Sequence, residues 1–395
     1  MLSKRFSIRV AINAITSKSG TRVYLWELAS ALAQTDGVDL ILLVGTESPS
    51  DVPPFLASKV RKVGVSSRRS YWQSFRQKQI QEVLLREGID LYHIPNTMPL
   101  FSRKLPTVVT IHDLVELRMK KYGLLRTAYR YIANLIAAHL SDHVITVSQN
   151  SKHDIAQLLR IPESKLTVVH NGVSDRFHPL DRKTCKDYLA SRYSITGEFI
   201  LAPGGLSKNK NIPRLLAAMR LLEETGRPES LVILGDKEDR EFRYIDAAIR
   251  HSKLEKSVIF PGFVPNEELP TFYNAAALVV YPTLYEGFGF PILEAMACGT
   301  PVVASNSSCI PEIAGRAALL FNPTSPGDIA DSVELVLTND ALRANLSTLG
   351  RERARQFTWE KAARETARVF RDVIAQEQSR KEPRDAARAI GLRDR

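Results

Sequence analysis

Tyr285–Ser305, YEGFGFPILEAMACGTPVVAS, is the stretch whose reading decides the fold. Gly287 and Gly289 permit a tight turn, and Pro291 suits the first position of a helix that runs on through Cys298. An apolar strand candidate lies on either side, Ala277–Tyr281 before and Pro301–Ala304 after. Strand, turn, helix and strand in that order form the repeating unit of a parallel sheet. In such a turn the amides of Gly289 and Phe290 stand at the positive end of the helix, where they match a diphosphate.

The same stretch holds Glu286 before the turn and Glu294 in the helix after it. Helical periodicity alone does not pair them, yet both can face one cleft from different elements. A carboxylate beside a phosphate cradle is a poor phosphate ligand, because like charges repel, but it accepts well from ribose or sugar hydroxyls. The plain alternative stays open: Glu294 caps its own helix and Glu286 is a solvated turn residue.

Outward from this stretch, strand and helix patterns alternate along the whole chain. The N-terminal half offers strands at Ile8–Ile15, Asp39–Val44, Leu91–Ile94, Thr107–Ile111, His143–Val147 and Leu166–Val169. Helical patterns fall at Thr21–Leu32, Ser74–Glu87, Leu124–Leu140 and Ser151–Leu159. After an irregular stretch the rhythm restarts at Phe199–Ala202 and continues to Ala317–Phe321. The expectation is an α/β chain of two doubly wound domains, 1–178 and 198–358, joined by a linker at 179–197. A helix at 359–377, which can cross back to the N-terminal domain, and a charged, frayed tail at 378–395 complete it.

Composition agrees with a soluble globular protein: of 395 residues, 44% are apolar and 25% charged. No run reaches the length of a membrane span, and MLSKRFSIRVAINAI breaks into an alternating strand instead of a signal peptide. Cys185, Cys298 and Cys309 lack metal spacing and read as reduced thiols; no histidine–carboxylate cluster suggests a metal either.

The net charge of +11 is unevenly placed. Residues 1–180 hold 24 Lys plus Arg against 14 Asp plus Glu, so this half carries nearly all of the excess. Its densest part is Lys59, Arg61, Lys62, Arg68, Arg69, Arg76 and Lys78, with no acid between Asp51 and Glu82. Such a patch suits anionic lipid headgroups or an acceptor bearing phosphate, and equally an ordinary solvated face. No recognition motif for nucleic acid accompanies it.

Taken together, EGFGFPILEAMACGTPVVAS, TIHDL at Thr110–Leu114, VVHNGV at Val168–Val173, KNKNI at Lys208–Ile212, GFVPNEEL at Gly262–Leu269 and FTWEKAA at Phe357–Ala363 resemble the retaining glycosyltransferase family 4. They occur in family order over essentially the whole chain. The resemblance implies a GT-B fold, two Rossmann-like domains facing a central cleft, the first on the acceptor side and the second holding a nucleotide sugar. It implies that Glu286 contacts the donor sugar, Gly289 and Phe290 the pyrophosphate, Glu294 the ribose and Lys210 the donor diphosphate. His112 of TIHDL is implied to position the sugar, with Asp113 holding its ring or capping the next helix. His93 is a weaker candidate.

The chain departs from the family at two places. Gly205 stands where many members have an arginine, so the diphosphate cation is reduced to Lys210 or supplemented by Lys208 or an N-terminal arginine, Lys208 being equally read as solvent-facing. The first loop, Thr16–Gly20, offers only Gly20 for a backbone contact, with Arg22 nearby. The function implied is retaining transfer of a hexosyl group, without a metal or other cofactor, to a saccharide or a polyprenyl-diphosphate-linked saccharide. The enzyme would work in the cytoplasm at the inner face of the membrane. KNKNI leans toward GDP-mannose; a UDP-glucose or UDP-N-acetylglucosamine transferase acting on a small soluble acceptor is the competing reading. A nucleotide-sugar epimerase, a phosphorylase and a non-catalytic nucleotide-sugar-binding protein are the alternatives.

Overall fold

The computed structural model describes residues 7–15, 20–45, 52–63, 73–96, 105–119, 123–226 and 229–391. The chain divides into two compact units, one built on residues up to Leu117, on those from Gly123 to Gly172 and on Trp359 onward, the other on Val173–Thr358 together with Arg118.

The first unit holds strands β1 (Ile8–Asn13), β2 (Val38–Val44), β3 (Val60–Lys62), β4 (Leu91–Ile94), β5 (Thr107–Thr110), β6 (His143–Thr146) and β7 (Leu166–Val168). They form one parallel sheet in the order β3-β2-β1-β4-β5-β6-β7. Its helices are α1 (Gly20–Ala33), α2 (Gln73–Arg86), α3 (Val115–Arg118), α4 (Leu124–Leu140) and α5 (Gln149–Leu159). Strands such as LYHI and TVVT are buried along their full length, as expected of a parallel sheet covered on both faces.

The second unit begins with α6 (Arg182–Tyr193), a helix inside the stretch read from sequence as a linker. Asp181 caps it by accepting from the Thr184 amide, and only Cys185 and Leu189 of its residues are buried, too narrow a face to show as a clear apolar period. Strands β8 (Phe199–Ala202), β9 (Ser230–Ile233), β10 (Val258–Ile259), β11 (Leu278–Tyr281), β12 (Val302–Ser305) and β13 (Leu319–Phe321) pair in parallel in the order β10-β9-β8-β11-β12-β13. Around them lie α7 (Ile212–Glu224), α8 (Phe242–His251), α9 (Leu269–Ala275), α10 (Phe290–Cys298), α11 (Ile310–Ala314), α12 (Pro326–Thr338) and α13 (Asp340–Ala354).

Both sheets reverse their winding at one place, between β1 and β4 in the first and between β8 and β11 in the second. Ligands of open parallel sheets bind beyond the carboxyl ends of strands at such a reversal. The last helix, α14 (Trp359–Gly391), belongs to the first unit: Trp359 lies edge-on to Tyr24, Phe370 packs on His93, and Arg371 donates to the Asp36 carbonyl. It continues past Glu377, where the sequence placed the start of a charged, frayed tail. Residues 375–391 are rich in Ala, Arg, Gln and Glu, which favour helix whatever their charge.

Candidate active site

The turn after β8 and the loop after β11 are tied together at the reversal of the second sheet. Asn211 opens α7 with a left-handed backbone, φ 60°, and its side-chain amide donates to the carbonyls of Pro282 and Pro323 at 3.0 and 2.7 Å. Asn209 donates to the Tyr285 carbonyl, and its own carbonyl accepts from the Leu284 amide. These bonds fix the position of Lys210 between the two asparagines.

Lys210 Nζ lies 2.7 Å from Glu286 Oε1 and 2.8 Å from the Tyr281 hydroxyl, and sits over the Tyr281 ring. The amide of Asn209 and the hydroxyl of Thr283 reach the same Glu286 oxygen, each at 2.9 Å. One carboxylate oxygen thus collects three neighbours, the lysine bond being charge-assisted. The Glu286 amide donates to Ser308 Oγ, which holds the backbone of the loop.

Gly204 makes room for this cluster. Its φ is 103°, and a Cβ there would stand 3.1 Å from Lys210 Nζ and 3.4 Å from the Tyr281 ring. Gly205 follows at φ 84° with open space beside it. With this left-handed backbone an L side chain at Gly205 would be strained.

Gly289, φ 92° and ψ 51°, precedes the first residue of α10 and carries no side chain to fill the space before the helix. Pro291 in the first turn lacks an amide that would need a partner. The positive end of α10 is therefore presented by the turn that the sequence assigned to a diphosphate.

Glu294 lies further along α10 and lines a cavity of about 210 Å³ with Gly204, Gly205, Asp236, Phe263, Tyr273 and Pro291. Tyr273 donates to its Oε2 at 2.6 Å. Burial pushes the Glu294 pKa up to about 7, opposed by the Tyr273 hydrogen bond and the charges of Arg176 and Lys210. The two motif glutamates thus have different surroundings: Glu294 faces the cavity, and Glu286 is held in the lysine cluster.

In the first unit, His112 sits just beyond β5 with Nε2 2.9 Å from the Pro95 carbonyl and its ring edge-on to Tyr24. A carbonyl only accepts, so Nε2 carries the proton. Burial depresses the ring pKa to about 4, so the ring is neutral at physiological pH and Nδ1 is an acceptor. Asp113 accepts from the Val115 amide and caps α3.

His93 is 0% exposed, 2.9 Å from Thr110 Oγ1 and packed on Phe370. Its pKa falls to about 3 through burial, so the ring is neutral. Lys208 is exposed. Gly20 and Arg22 fall in the first turn of α1, while Thr16–Ser19 lie outside the described residues.

The basic strip is less bare than its sequence. Lys59 is 3.6 Å from Asp39 and Arg61 3.2 Å from Glu87, acids brought from outside the strip by β2 and the end of α2. Lys62 is exposed; Arg68 and Arg69, and the side chains of Arg76 and Lys78, lie outside the described residues. Among the described residues, no group of three or more His, Cys, Asp or Glu could hold a metal ion.

Sequence reasoning passed over Asn209, Asn211, Tyr273, Tyr281, Thr283 and Ser308. Both asparagines stand inside KNKNI, where their alternation with lysine was visible, but their partners are more than seventy residues away.

The chain matches the family model described as Glycosyl transferases group 1 over residues 194–353 and the one described as Glycosyltransferase Family 4 over residues 18–177. It is 31% identical over 284 residues to the O-antigen chain mannosyltransferase B of Escherichia coli, covering 71% of this chain and 74% of that one. It is 29% identical over 262 residues to the serotype-specific mannosyltransferase WbdA of Escherichia coli, an alignment covering 65% of this chain and 32% of that one. In fold it is similar to the solved sucrose-phosphate synthase from Thermosynechococcus elongatus, with a TM-score of 0.76 and 20% identity over 93% of this chain and 100% of that one.

Proposed function

The chain belongs to the group 1, family 4 glycosyltransferases, which move a sugar from a nucleoside diphosphate donor to an acceptor, and we propose that it transfers mannose from GDP-mannose. The observation that carries the site assignment is the cluster of Lys210, Asn209, Thr283 and Glu286, set beside the N-terminus of α10. Two relatives named as mannosyltransferases support the choice of sugar.

In this reading the amides at Gly289 and Phe290 and the ammonium of Lys210 hold the donor diphosphate. Positive groups already in place there stabilise the charge that grows as the nucleoside diphosphate leaves. Glu294 accepts from the ribose hydroxyls at the cavity and Glu286 from the sugar through Oε2, since Oε1 is occupied by its three neighbours. His112 accepts a hydroxyl of donor or acceptor through Nδ1.

The bond from the anomeric carbon to the diphosphate breaks as a bond to the acceptor oxygen forms on the same face. The acceptor proton passes to the departing diphosphate oxygen. Neither glutamate is assigned as a covalent nucleophile, because in this reading both accept from hydroxyls, Glu294 from the ribose and Glu286 from the sugar. The acceptor is a saccharide or a polyprenyl-diphosphate-linked saccharide, met at the cytoplasmic face of the membrane.

A panel of nucleotide sugars tested for protection against thermal unfolding decides the donor. GDP-mannose should raise the midpoint more than UDP-glucose or UDP-N-acetylglucosamine; a larger rise with either UDP-sugar overturns the mannose assignment. Turnover with an acceptor present separates a transferase from a binding protein or an epimerase, and the anomeric configuration of the product tests retention.

A further inference from the structure

Tyr281 ends β11 at the reversal of the second sheet, and it is one of the largest fully enclosed side chains among the described residues, 1% exposed. A phenol buried to this degree must find a partner for its hydroxyl. That partner is Lys210, whose ammonium donates to the hydroxyl at 2.8 Å and lies 5.1 Å from the ring centroid. Burial, and after it the charge of Glu286, push the phenol pKa up, so the oxygen keeps its proton and accepts from the lysine.

The ring itself lies between two glycines. A Cβ on Gly204 would stand 3.4 Å from its Cε2, and one on Gly289 would stand 3.9 Å from its Cε1. One edge of the ring therefore faces the turn that leads from β8 to Lys210, and the other faces the residue before α10. Both neighbours lack the side chain that would crowd the ring out.

An ammonium has three N–H donors. Among the described residues Glu286 Oε1 and Tyr281 Oη take two of them. Held by one bond, the group can swing about it; held by two, its third N–H has a fixed direction. A donor aimed before the ligand arrives loses less freedom when the ligand binds.

We propose that Tyr281 is a positioning residue for the donor diphosphate: its hydroxyl aims Lys210, and its ring spaces the lysine turn from the start of α10. This rests on the assignment of Lys210 and α10 to the diphosphate. Tyr281 acts through the lysine and the two backbones and makes no contact with the donor.

The test is calorimetric titration of the full chain with GDP and with UDP, continued with whichever binds the parent more tightly. Tyr281→Phe keeps the ring and loses only the hydroxyl. It should weaken binding by about tenfold, the worth of one hydrogen bond to a charged group. Its unfolding midpoint should stay near the parent, which separates the effect from a defect in folding. In a Lys210→Met background the same change should alter binding by less than about twofold, because it acts through the lysine. Parent-like or tighter binding by Tyr281→Phe, or a similar loss in both backgrounds, overturns the aiming of Lys210. Tyr281→Leu also removes the ring and should weaken binding in both backgrounds; a leucine variant that binds as the phenylalanine variant does overturns the spacing role. Lys210→Met binding as tightly as the parent overturns the diphosphate assignment and this proposal with it. Weak binding by Lys210→Met beside parent-like Tyr281→Phe overturns this proposal alone.

Discussion

Lys210 and Glu286 form an ion pair at 2.7 Å, and both side chains are largely enclosed, 13% and 16% exposed. A pair this well shielded is coupled more strongly than a surface salt bridge. In the proposed mechanism the lysine gains a second anionic neighbour when a donor diphosphate binds, while Asn209 and Thr283 remain on the glutamate. The pair thus stores the ammonium in position without leaving the carboxylate unsatisfied.

Replacing Lys210 by Met should therefore lower kcat by about a hundredfold or more, because a cation matched to the leaving diphosphate is removed. Stability should fall by about 1–3 kcal/mol, since Glu286 keeps only neutral donors. Glu286→Gln retains an oxygen that Lys210 can reach, so its unfolding midpoint should stay near the parent while turnover drops. Steady-state kinetics with GDP-mannose and denaturant titration check both, and a Lys210→Met enzyme within threefold of the parent removes lysine from the proposed mechanism.

Glu294 gives a pH dependence with a defined sign. Its pKa, raised to about 7 by burial, lies above the value it would have in the unfolded chain. Between the two values the folded state holds the proton more tightly, so this group's contribution to stability declines as pH rises toward 7 and is level above it. Donor binding should run the other way, because an ionised carboxylate accepts better from ribose hydroxyls. Affinity for intact GDP-mannose, whose phosphates do not titrate in this range, should weaken by up to about tenfold from pH 8 to pH 6. Calorimetric titration of the parent and Glu294→Gln across that range reads the effect; a slope that survives in the variant assigns it elsewhere.

Much of this was legible because parallel strands buried on both faces read as short apolar runs, and because the GFGFP turn states its geometry through its glycines and proline. The elements that escaped have weak local signals. In α13 only Leu346, Gly350 and Ala354 are buried, a single narrow line on an otherwise polar helix. The edge strand β3 has three residues, two of them basic. In the candidate site, Glu286, Glu294 and Lys210 stand out through their motifs, yet the groups that hold them, Thr283, Asn209 and Tyr273, are ordinary polar residues until the sheet brings them together. His93 shows the converse: its place at a strand end is visible in the sequence, while its enclosure against Phe370 of α14 is not. The basic strip likewise lost part of its charge to acids outside it.

Chelation tests whether positive charge at the diphosphate is supplied by the protein. If Lys210 and the first turn of α10 suffice, transfer from GDP-mannose should continue at a similar rate in excess chelator. Activity abolished by chelator and restored only by a divalent ion would mean that the metal bears this charge, and the roles given to Lys210 and α10 would need to be reduced.

Gly289 tests the turn itself. At φ 92° any L residue is strained, and a Cβ would also meet Ile310 Cδ1 at 3.1 Å. The two costs can be separated: Gly289→Ala carries both, while Gly289→Ala with Ile310→Val removes the δ-carbon and leaves only the backbone strain. The single variant should be less stable than the parent by about 1–3 kcal/mol, and the second change should recover only part of this. Donor affinity should fall in both, because the strained backbone is what aims the start of α10 at the diphosphate. Full recovery of stability and donor affinity in the double variant would show that the glycine serves only to avoid Ile310, and that the left-handed turn is not needed to hold the donor.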